Sequence, residues 1–197
     1  MFKAIMRQVR LFAVLLLGYL LQASVMPYLK VGSVVPSLLI AVIAIITVGY
    51  GKLRALWAGM FYGIVTETMM QTVPLLNLMF YPIAALFCSL FFADKSSARL
   101  QYERSTGKAG RNRSPYLRTI LCAAMNVVLY EIVNIAYMYL NDTLPDMEQI
   151  MKSLTDLLAT TALTAIVMVP VRKMLGFRKP RTENPETQRF GYRPDRL

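Results

Sequence analysis

Residues 57–71 read WAGMFYGIVTETMMQ, an apolar run that carries two glycines and one acid at regular spacing. On an α-helix, positions i, i+4 and i+8 lie on one face, so Gly59, Gly63 and Glu67 form a single stripe. Gln71 extends this stripe by one more turn. Glycines on such a face allow a neighbouring helix to approach closely. A carboxylate at membrane depth costs about 2.5–3.5 kcal/mol on insertion scales, so we expect Glu67 to face protein or water.

The composition of the chain indicates a membrane protein. Its 197 residues are 56% hydrophobic, with a mean hydropathy of +0.45. The apolar runs are too long and too frequent for the core of a globular domain. The net charge is +11, and the basic residues cluster between the apolar runs. This pattern favours an anionic membrane surface as the partner of the basic residues and disfavours nucleic acid.

The residues that commonly carry catalysis are scarce. The chain has no histidine, and its two cysteines, Cys88 and Cys122, lie in apolar segments without metal-binding or redox spacing. The sequence contains no P-loop, dinucleotide fingerprint or nucleophile elbow. We therefore expect no enzymatic activity, no cofactor and no metal site.

The apolar runs predict an all-α integral membrane protein with a bundle of six transmembrane helices in one domain, residues 1–172. The spans lie at about 9–29, 34–50, 55–72, 75–92, 116–140 and 153–171. Pro36 opens the second span, and the short turn at residues 72–74 makes the third and fourth spans an antiparallel hairpin. Pro82 should kink the fourth. We expect a flexible loop at 93–115 and a basic, disordered tail at 173–197.

The basic residues predict the orientation of these spans. Twenty of the 22 Lys and Arg residues lie in segments 1–10, 51–54, 93–118 and 172–197, and the other two are Lys30 and Lys152. Cytoplasmic segments of membrane proteins carry an excess of Lys and Arg. Six spans with both termini in the cytoplasm put all four basic segments on that side, whereas five or seven spans would not.

Six residues are candidates for packing between helices or for binding a partner protein. They are Gln22, Pro36, Gly59, Gly63, Glu67 and Gln71. The predicted topology places Glu67 in the outer half of its helix, so its polar neighbours should come from the outer halves of other helices. Gln22 on the first helix and Asn134 on the fifth are the expected neighbours.

The fifth predicted helix is the most polar of the six. It carries an intramembrane polar cluster of Asn126, Tyr130, Glu131 and Asn134. Ionisable residues within membrane spans face the bundle interior or a water-filled cavity, so this cluster indicates a polar interior surface. Two functions are open for it: a solute pocket, or a cation or proton site that Glu131 forms with Glu67. We expect Asp156, near the mouth of the sixth span, to lie at the membrane interface.

The start of the basic tail indicates contact with lipid. Its bases Arg172, Lys173, Arg178 and Lys179 are interspersed with apolar anchors. Segments of this kind bind anionic lipid headgroups, and we expect these four side chains to contact the membrane surface.

The order of motifs over residues 8–92 resembles one known family. After a basic start come Leu21-Gln22-Ala23-Ser24, Pro27 and Pro36-Ser37-Leu38-Leu39. A turn of glycine and basic residues then precedes Gly59-x3-Gly63-x3-Glu67, which Leu78 and Tyr81 follow. This order is similar to that of MreD, the small integral membrane protein of the bacterial rod-shape system. The remaining residues resemble that family in span number and size alone.

The resemblance implies a fold and a function. The implied fold is a six-helix bundle like the substrate-binding subunits of energy-coupling-factor vitamin transporters. The implied function is a non-enzymatic scaffold in the bacterial cytoplasmic membrane that binds MreC, a single-span protein. Such a scaffold supports the MreB filament and the RodA–class B penicillin-binding protein synthase that builds lateral cell wall. The alternative is a solute-binding subunit of a vitamin-type transporter, for which Tyr130, Glu131 and Asn134 would line the pocket.

Overall fold

The computed structural model describes residues 2–69, 75–93, 114–140 and 146–177. The helices are α1 (Phe2–Ser24), α2 (Leu38–Tyr50), α3 (Lys52–Met69), α4 (Leu76–Phe92), α5 (Pro115–Leu140) and α6 (Met147–Met174), with a short 3₁₀ helix at Met26–Tyr28. The prediction of an all-helical protein is confirmed for these residues. Gln71, Arg178, Lys179, most of the predicted loop 93–115 and the tail beyond residue 177 lie outside the described residues.

Three helical segments are long and apolar enough to cross a membrane by themselves. They are residues 5–28, α5 and α6. Helices α2 and α4 are apolar but shorter. At a rise of 1.5 Å per residue, the 13 residues of α2 extend about 20 Å, which is less than the hydrocarbon thickness of a bilayer.

Helix α2 forms the centre of the bundle. Every residue from Leu38 to Val48 is buried, with at most 5% of its surface exposed. This helix contacts each of the other five. Its sequence explains its position, because a helix that is apolar on every face has no side to present to water.

The start of α2 differs from the prediction, since the helix begins at Leu38 and Pro36 lies before it. Ser37 is the N-cap: its backbone is extended, with φ −87° and ψ 99°, and its side chain accepts a hydrogen bond from the Ile40 amide. A serine oxygen in this position satisfies an amide that has no partner within the helix. Pro36 itself is buried. The predicted opening at Pro36 is therefore wrong by two residues.

Helices α3 and α4 make the most extensive contact in the bundle, and their glycines determine how close it is. A methyl group added at Gly59 would lie 2.7 Å from the Tyr81 carbonyl oxygen and 2.8 Å from the Pro82 Cα. One added at Gly63 would lie 3.0 Å from the Asn77 carbonyl oxygen. The two backbones thus touch along the glycine stripe, and the helix that approaches it is the next one in the chain.

Helix α1 is joined to α3 by a buried tyrosine. The Tyr62 hydroxyl donates a hydrogen bond to the Leu15 carbonyl oxygen over 3.0 Å. A methyl group at Gly18 would lie 2.5 Å from the same hydroxyl oxygen, so the glycine provides the space that this hydroxyl occupies. The rings of Phe12 and Phe61 meet edge to face beside it, with centroids 5.8 Å apart.

The end of α6 is ordered and packed against the end of α2. Gly176 has φ +75°, and the amides of Gly176 and Phe177 donate to the carbonyl oxygens of Lys173 and Arg172, which is the Schellman arrangement. The Phe177 ring then packs against Tyr50, with centroids 4.7 Å apart. The Tyr50 hydroxyl donates to the Leu175 carbonyl oxygen over 3.1 Å. Residues 173–177 therefore belong to the folded bundle, contrary to their placement in a disordered tail.

Arg172 is also buried, contrary to the predicted contact with lipid headgroups. Its side chain is 7% exposed, and its guanidinium lies 5.1 Å from the ring centre of Phe177 and 5.4 Å from that of Tyr116. The folding back of Phe177 places an aromatic ring over the guanidinium, and cation–π attraction favours that position. Lys173, the next residue, is exposed. We call the end of the bundle that holds Arg54 and Arg172 the basic end.

The close contact between α3 and α4 predicts which of two substitutions lowers the stability of the protein more. Gly59→Ala should lower the stability of the protein by about 1–3 kcal/mol, because the backbone of α4 cannot give way to the added methyl group. Gly63→Ala should cost less, because its contacts are longer and alanine favours a helix by about 1 kcal/mol over glycine. The thermal unfolding midpoint of the purified protein in detergent measures both changes. Ile64→Ala, at an exposed position of the same helix, is the control. A larger loss for Gly63→Ala than for Gly59→Ala would contradict this packing.

Candidate functional site

A cavity of about 550 Å³ lies at the end of the bundle opposite the basic end. Its apolar and aromatic lining consists of Tyr19, Ala23, Pro27, Val34, Val35, Leu39, Ile40, Tyr81 and Tyr130. Its polar lining consists of Gln22, Ser37, Thr66, Glu131, Asn134, Gln149, Lys152, Ser153 and Asp156. All six helices contribute, together with the connection between α1 and α2, so the cavity exists only in the folded bundle.

The short length of α2 creates this space. Helices α5 and α6 have 26 and 28 residues, which correspond to about 39 and 42 Å, roughly twice the length of α2. At the basic end α2 and α6 finish together, as the contact between Tyr50 and Leu175 shows. At the other end α5 and α6 therefore continue past the start of α2. The cavity occupies the volume between them, with the first turn of α2 as its floor.

Hydrogen bonds from two other helices satisfy the amides at this floor. The Leu38 amide donates to the Gln22 side-chain oxygen of α1 over 2.6 Å. The Ser37 amide donates to the Thr160 hydroxyl oxygen of α6 over 3.0 Å, and that hydroxyl donates in turn to Asp156 over 3.0 Å. The N-terminus of a helix carries a partial positive charge, so a carboxylate linked to it through one hydroxyl is electrostatically favourable.

Two carboxylates that line the cavity have no cationic partner in the part of the chain that the structure describes. Glu131 accepts a hydrogen bond of 2.6 Å from the Ser153 hydroxyl, and Asp156 accepts the one from Thr160. Lys152 is nearby, but its amine pairs with Glu148 at 2.8 Å. Within the described ranges, no Lys or Arg lies within ion-pair distance of either cavity acid. Each carboxylate has about four acceptor positions, and so capacity remains for a bound group.

Three of the four residues in the predicted polar cluster of the fifth helix line the cavity, and the fourth does not. Tyr130, Glu131 and Asn134 line the cavity. Asn126 does not, because it lies about one turn nearer the basic end. Its side chain is buried there and its amide donates to the Cys122 carbonyl oxygen of its own helix over 2.8 Å. The cavity therefore lies on the side of Asn126 that is away from the basic end.

Sequence reasoning missed Asp156, which was expected at the membrane interface. A signal for it is present in α6. Polar residues recur there at spacings of four and three, at Gln149, Ser153, Asp156, Thr160 and Thr164. These spacings keep the five side chains on one face of a helix. A polar stripe on a helix with apolar flanks indicates a face turned towards other polar groups in the bundle interior.

Glu67 lies apart from the cavity, and the expected contacts with Gln22 and Asn134 are wrong. Its two carboxylate oxygens accept hydrogen bonds from the amides of Leu75 and Asn77, over 2.5 and 3.2 Å. Leu75 is the N-cap of α4 and Asn77 lies in its first turn, where amides have no partner within the helix. A carboxylate is also favoured there by the helix dipole. Gln22 instead bonds to Leu38, and Asn134 lines the cavity.

The glycine stripe and Pro36 are placed inside the bundle. Gly59 and Gly63 are buried against α4, and Pro36 is buried before the first turn of α2. These three residues therefore act in packing within the chain and present no surface to a separate protein. Lys173 stays exposed at the basic end, where a headgroup could reach it.

Comparisons with known proteins identify no relative of this chain. The sequence matches no protein-family profile and no curated protein, and the fold matches no solved structure. Proposals about function therefore depend on the residues and geometry described above.

The contacts of Glu67 predict that two substitutions at this position lower the stability of the protein to different extents. Glu67→Ala should lower the thermal unfolding midpoint, with a loss of about 1–3 kcal/mol, because two amides of α4 lose their acceptors. Glu67→Gln should cost less, because the carboxamide retains one of the two oxygens. Thr68→Ala is the control, since the Thr68 hydroxyl is exposed and bonds only to its own helix at Val65. If Glu67→Ala unfolded at the same temperature as the wild type, the role of this residue at α4 would be refuted.

Proposed function

We propose that this protein is a multi-pass scaffold of the bacterial cytoplasmic membrane, similar to MreD, that acts in cell elongation. In this role it binds an MreC-like single-span protein in the membrane. Through that partner it supports the MreB filament and the RodA–class B penicillin-binding protein pair that builds lateral cell wall. The observation that carries the proposal is that the residues behind the resemblance to MreD have connected structural roles.

These residues determine where α2 and α4 begin. Gln22 accepts from the first amide of α2, and Ser37 caps that helix. Glu67 accepts from the first amides of α4. Gly59 and Gly63 bring α3 against α4. A motif order whose members position neighbouring helices against one another supports a shared fold more strongly than unrelated single matches would.

The distribution of apolar and charged groups supports the membrane location. Large apolar side chains are exposed along α1 and α4, among them Val9, Phe12, Met79, Ile83 and Leu90. Exposed apolar surface of this extent suits contact with lipid or with an apolar partner helix. Arg54 and Arg172 lie at one end of the bundle, and the positive-inside rule assigns that end to the cytoplasm. The cavity then lies in the outer half of the protein.

The scaffold proposal predicts loss of cell shape in the source bacterium. Depletion of the protein should turn rods into spheres and reduce lateral wall synthesis, and the wild-type chain should restore both. Gly59→Leu should fail to restore shape and should not co-purify with an MreC-like protein, because α3 and α4 cannot close. Ile64→Leu, at an exposed position of the same helix, should restore shape. If depletion left cell shape and wall synthesis unchanged, the scaffold proposal would be wrong.

The cavity favours a second function, a solute-binding subunit of a membrane transporter. Ligand sites in proteins have volumes of about 300–1,000 Å³, with mostly apolar walls and a few polar groups that fix orientation. The cavity has this size and this mixture of groups. Its floor and walls come from helices held by hydrogen bonds, so its shape is formed before a ligand enters.

The second function predicts a small molecule that stays with the protein. Native mass spectrometry of the gently solubilised protein should detect a bound solute of drug-like size. Ala23→Phe should abolish this species, because Ala23 lines the cavity and the added ring would fill it. Ala136→Phe, at an exposed position of α5, should leave the bound species in place. Retention of the same species by Ala23→Phe would place the ligand elsewhere and remove the support for this function.

A further inference from the structure

We propose that the cavity binds an organic ammonium ion. The positive group lies between Glu131 and Asp156, and the apolar part of the molecule lies against Tyr19, Tyr81 and Tyr130. This inference rests on the second proposed function, because it names the class of solute that the cavity accepts. It is independent of the scaffold role.

The balance of charge in and beside the cavity selects a cation. Glu131 and Asp156 each accept one hydrogen bond from a neutral hydroxyl group. Among the described residues that line the cavity, Lys152 is the one with a positive side chain, and it is already paired with Glu148. The formal charges of Glu131, Asp156, Glu148 and Lys152 sum to −2. Glu131 and Asp156 are half-buried, and partial burial of a carboxylate without a counter-ion is costly, so a bound cation stabilises them, whereas a carboxylate or phosphate ligand would be repelled.

The walls of the cavity suit the organic part of such a cation. Tyr19, Tyr81 and Tyr130 come from α1, α4 and α5, and ammonium groups are attracted to the faces of aromatic rings. Phe80 holds the Tyr130 ring edge to face, with centroids 5.2 Å apart, so this wall has a fixed orientation. The volume of the cavity exceeds what an inorganic monovalent ion needs.

A metal ion fits this site poorly. Among the residues that the structure describes, no group of three or more Asp, Glu, Cys or His side chains could hold one. An ammonium ion needs only a few acceptors, and the two carboxylates together with Gln22, Asn134 and Gln149 provide them.

The ammonium group has two possible sources. The cavity reaches Ala23 and Pro27, which are exposed, so it communicates with the surroundings of the bundle. A free amine in solution can enter there. In the proposed topology this opening lies near the outer lipid headgroups, and the amine of an aminophospholipid can enter as well. Binding in bilayers with and without phosphatidylethanolamine separates the two sources.

The test compares three ligands with the same phenyl body and different charge. 2-Phenylethylamine, 2-phenylethanol and phenylacetate are titrated into the purified protein by calorimetry in nanodiscs of phosphatidylglycerol. The amine should bind at least about tenfold more tightly than the alcohol, and phenylacetate should give no binding heat up to about 10 mM. In nanodiscs that contain phosphatidylethanolamine, weaker binding of the amine assigns the natural ligand to the headgroup. Unchanged binding assigns it to a free amine.

Variants that are expected to change the affinity in opposite directions separate recognition of charge from loss of folding. Glu131→Gln and Asp156→Asn should each reduce the affinity for the amine towards that of the alcohol. Lys152→Gln should raise the affinity for the amine, and a misfolded protein cannot produce that result. Asp146→Asn is the matched control: it removes one charge from the N-cap of α6 outside the cavity lining, and asparagine caps a helix as well as aspartate does.

Two outcomes overturn the inference in different ways. If the amine and the alcohol bound equally, the ammonium would not be recognised, although the cavity would remain a solute site. If none of the three ligands bound at about 10 mM, the inference would fail, and native mass spectrometry would decide the solute-binding function separately. Neither outcome bears on the scaffold function, which is measured by cell shape.

Discussion

The enclosure of α2 by five other helices is the constraint on which the rest of this structure depends. The buried first turn of α2 cannot satisfy its amides with water, so other parts of the chain have to provide the acceptors. At its start these partners are Gln22 of α1, Thr160 of α6 and the side chain of Ser37. At its other end, Phe177 and the Tyr50 hydroxyl join α2 to the last turn of α6. Helices α1 and α6 thus lie where they can form hydrogen bonds with the ends of the central helix.

The cavity is a second consequence of the same helix. Because α2 is about half as long as α5 and α6, it leaves a space that its neighbours enclose and cannot fill. The side chains that face this space are polar on α5 and α6 and aromatic on α1, α4 and α5. The glycine contact between α3 and α4 has a different role, since it makes these two helices a unit that packs against α2. A scaffold role uses the outer surface of this bundle, whereas a solute site uses its interior, so one fold can accommodate both.

The sequence predicted the helices and the close glycine contact, because both depend on periodicity along one segment. Gly59 and Gly63 indicated that a helix approaches, but the spacing of residues within α3 could not identify which helix it was. The partner of Glu67 was predicted wrongly for a related reason: its hydrogen bonds cross a short connection to the start of the next helix, and periodicity does not describe helix ends. Asp156 was missed although α6 carries a polar stripe. The burial of Arg172 was missed because Gly176 was not interpreted as a helix-ending residue.

The hydrogen bonds at the two ends of α2 also bear on how the chain is made. Ser37 and Thr160 are 123 residues apart in sequence, and Tyr50 and Leu175 are 125 apart. A helix near the start of the protein therefore obtains some of its partners from one that the ribosome produces much later. Until α6 emerges, the Ser37 amide at the start of α2 lacks its acceptor, and the apolar surface of α2 lacks one wall. The bundle closes late, and during this interval the unfinished protein is the form most exposed to misassembly and to quality control.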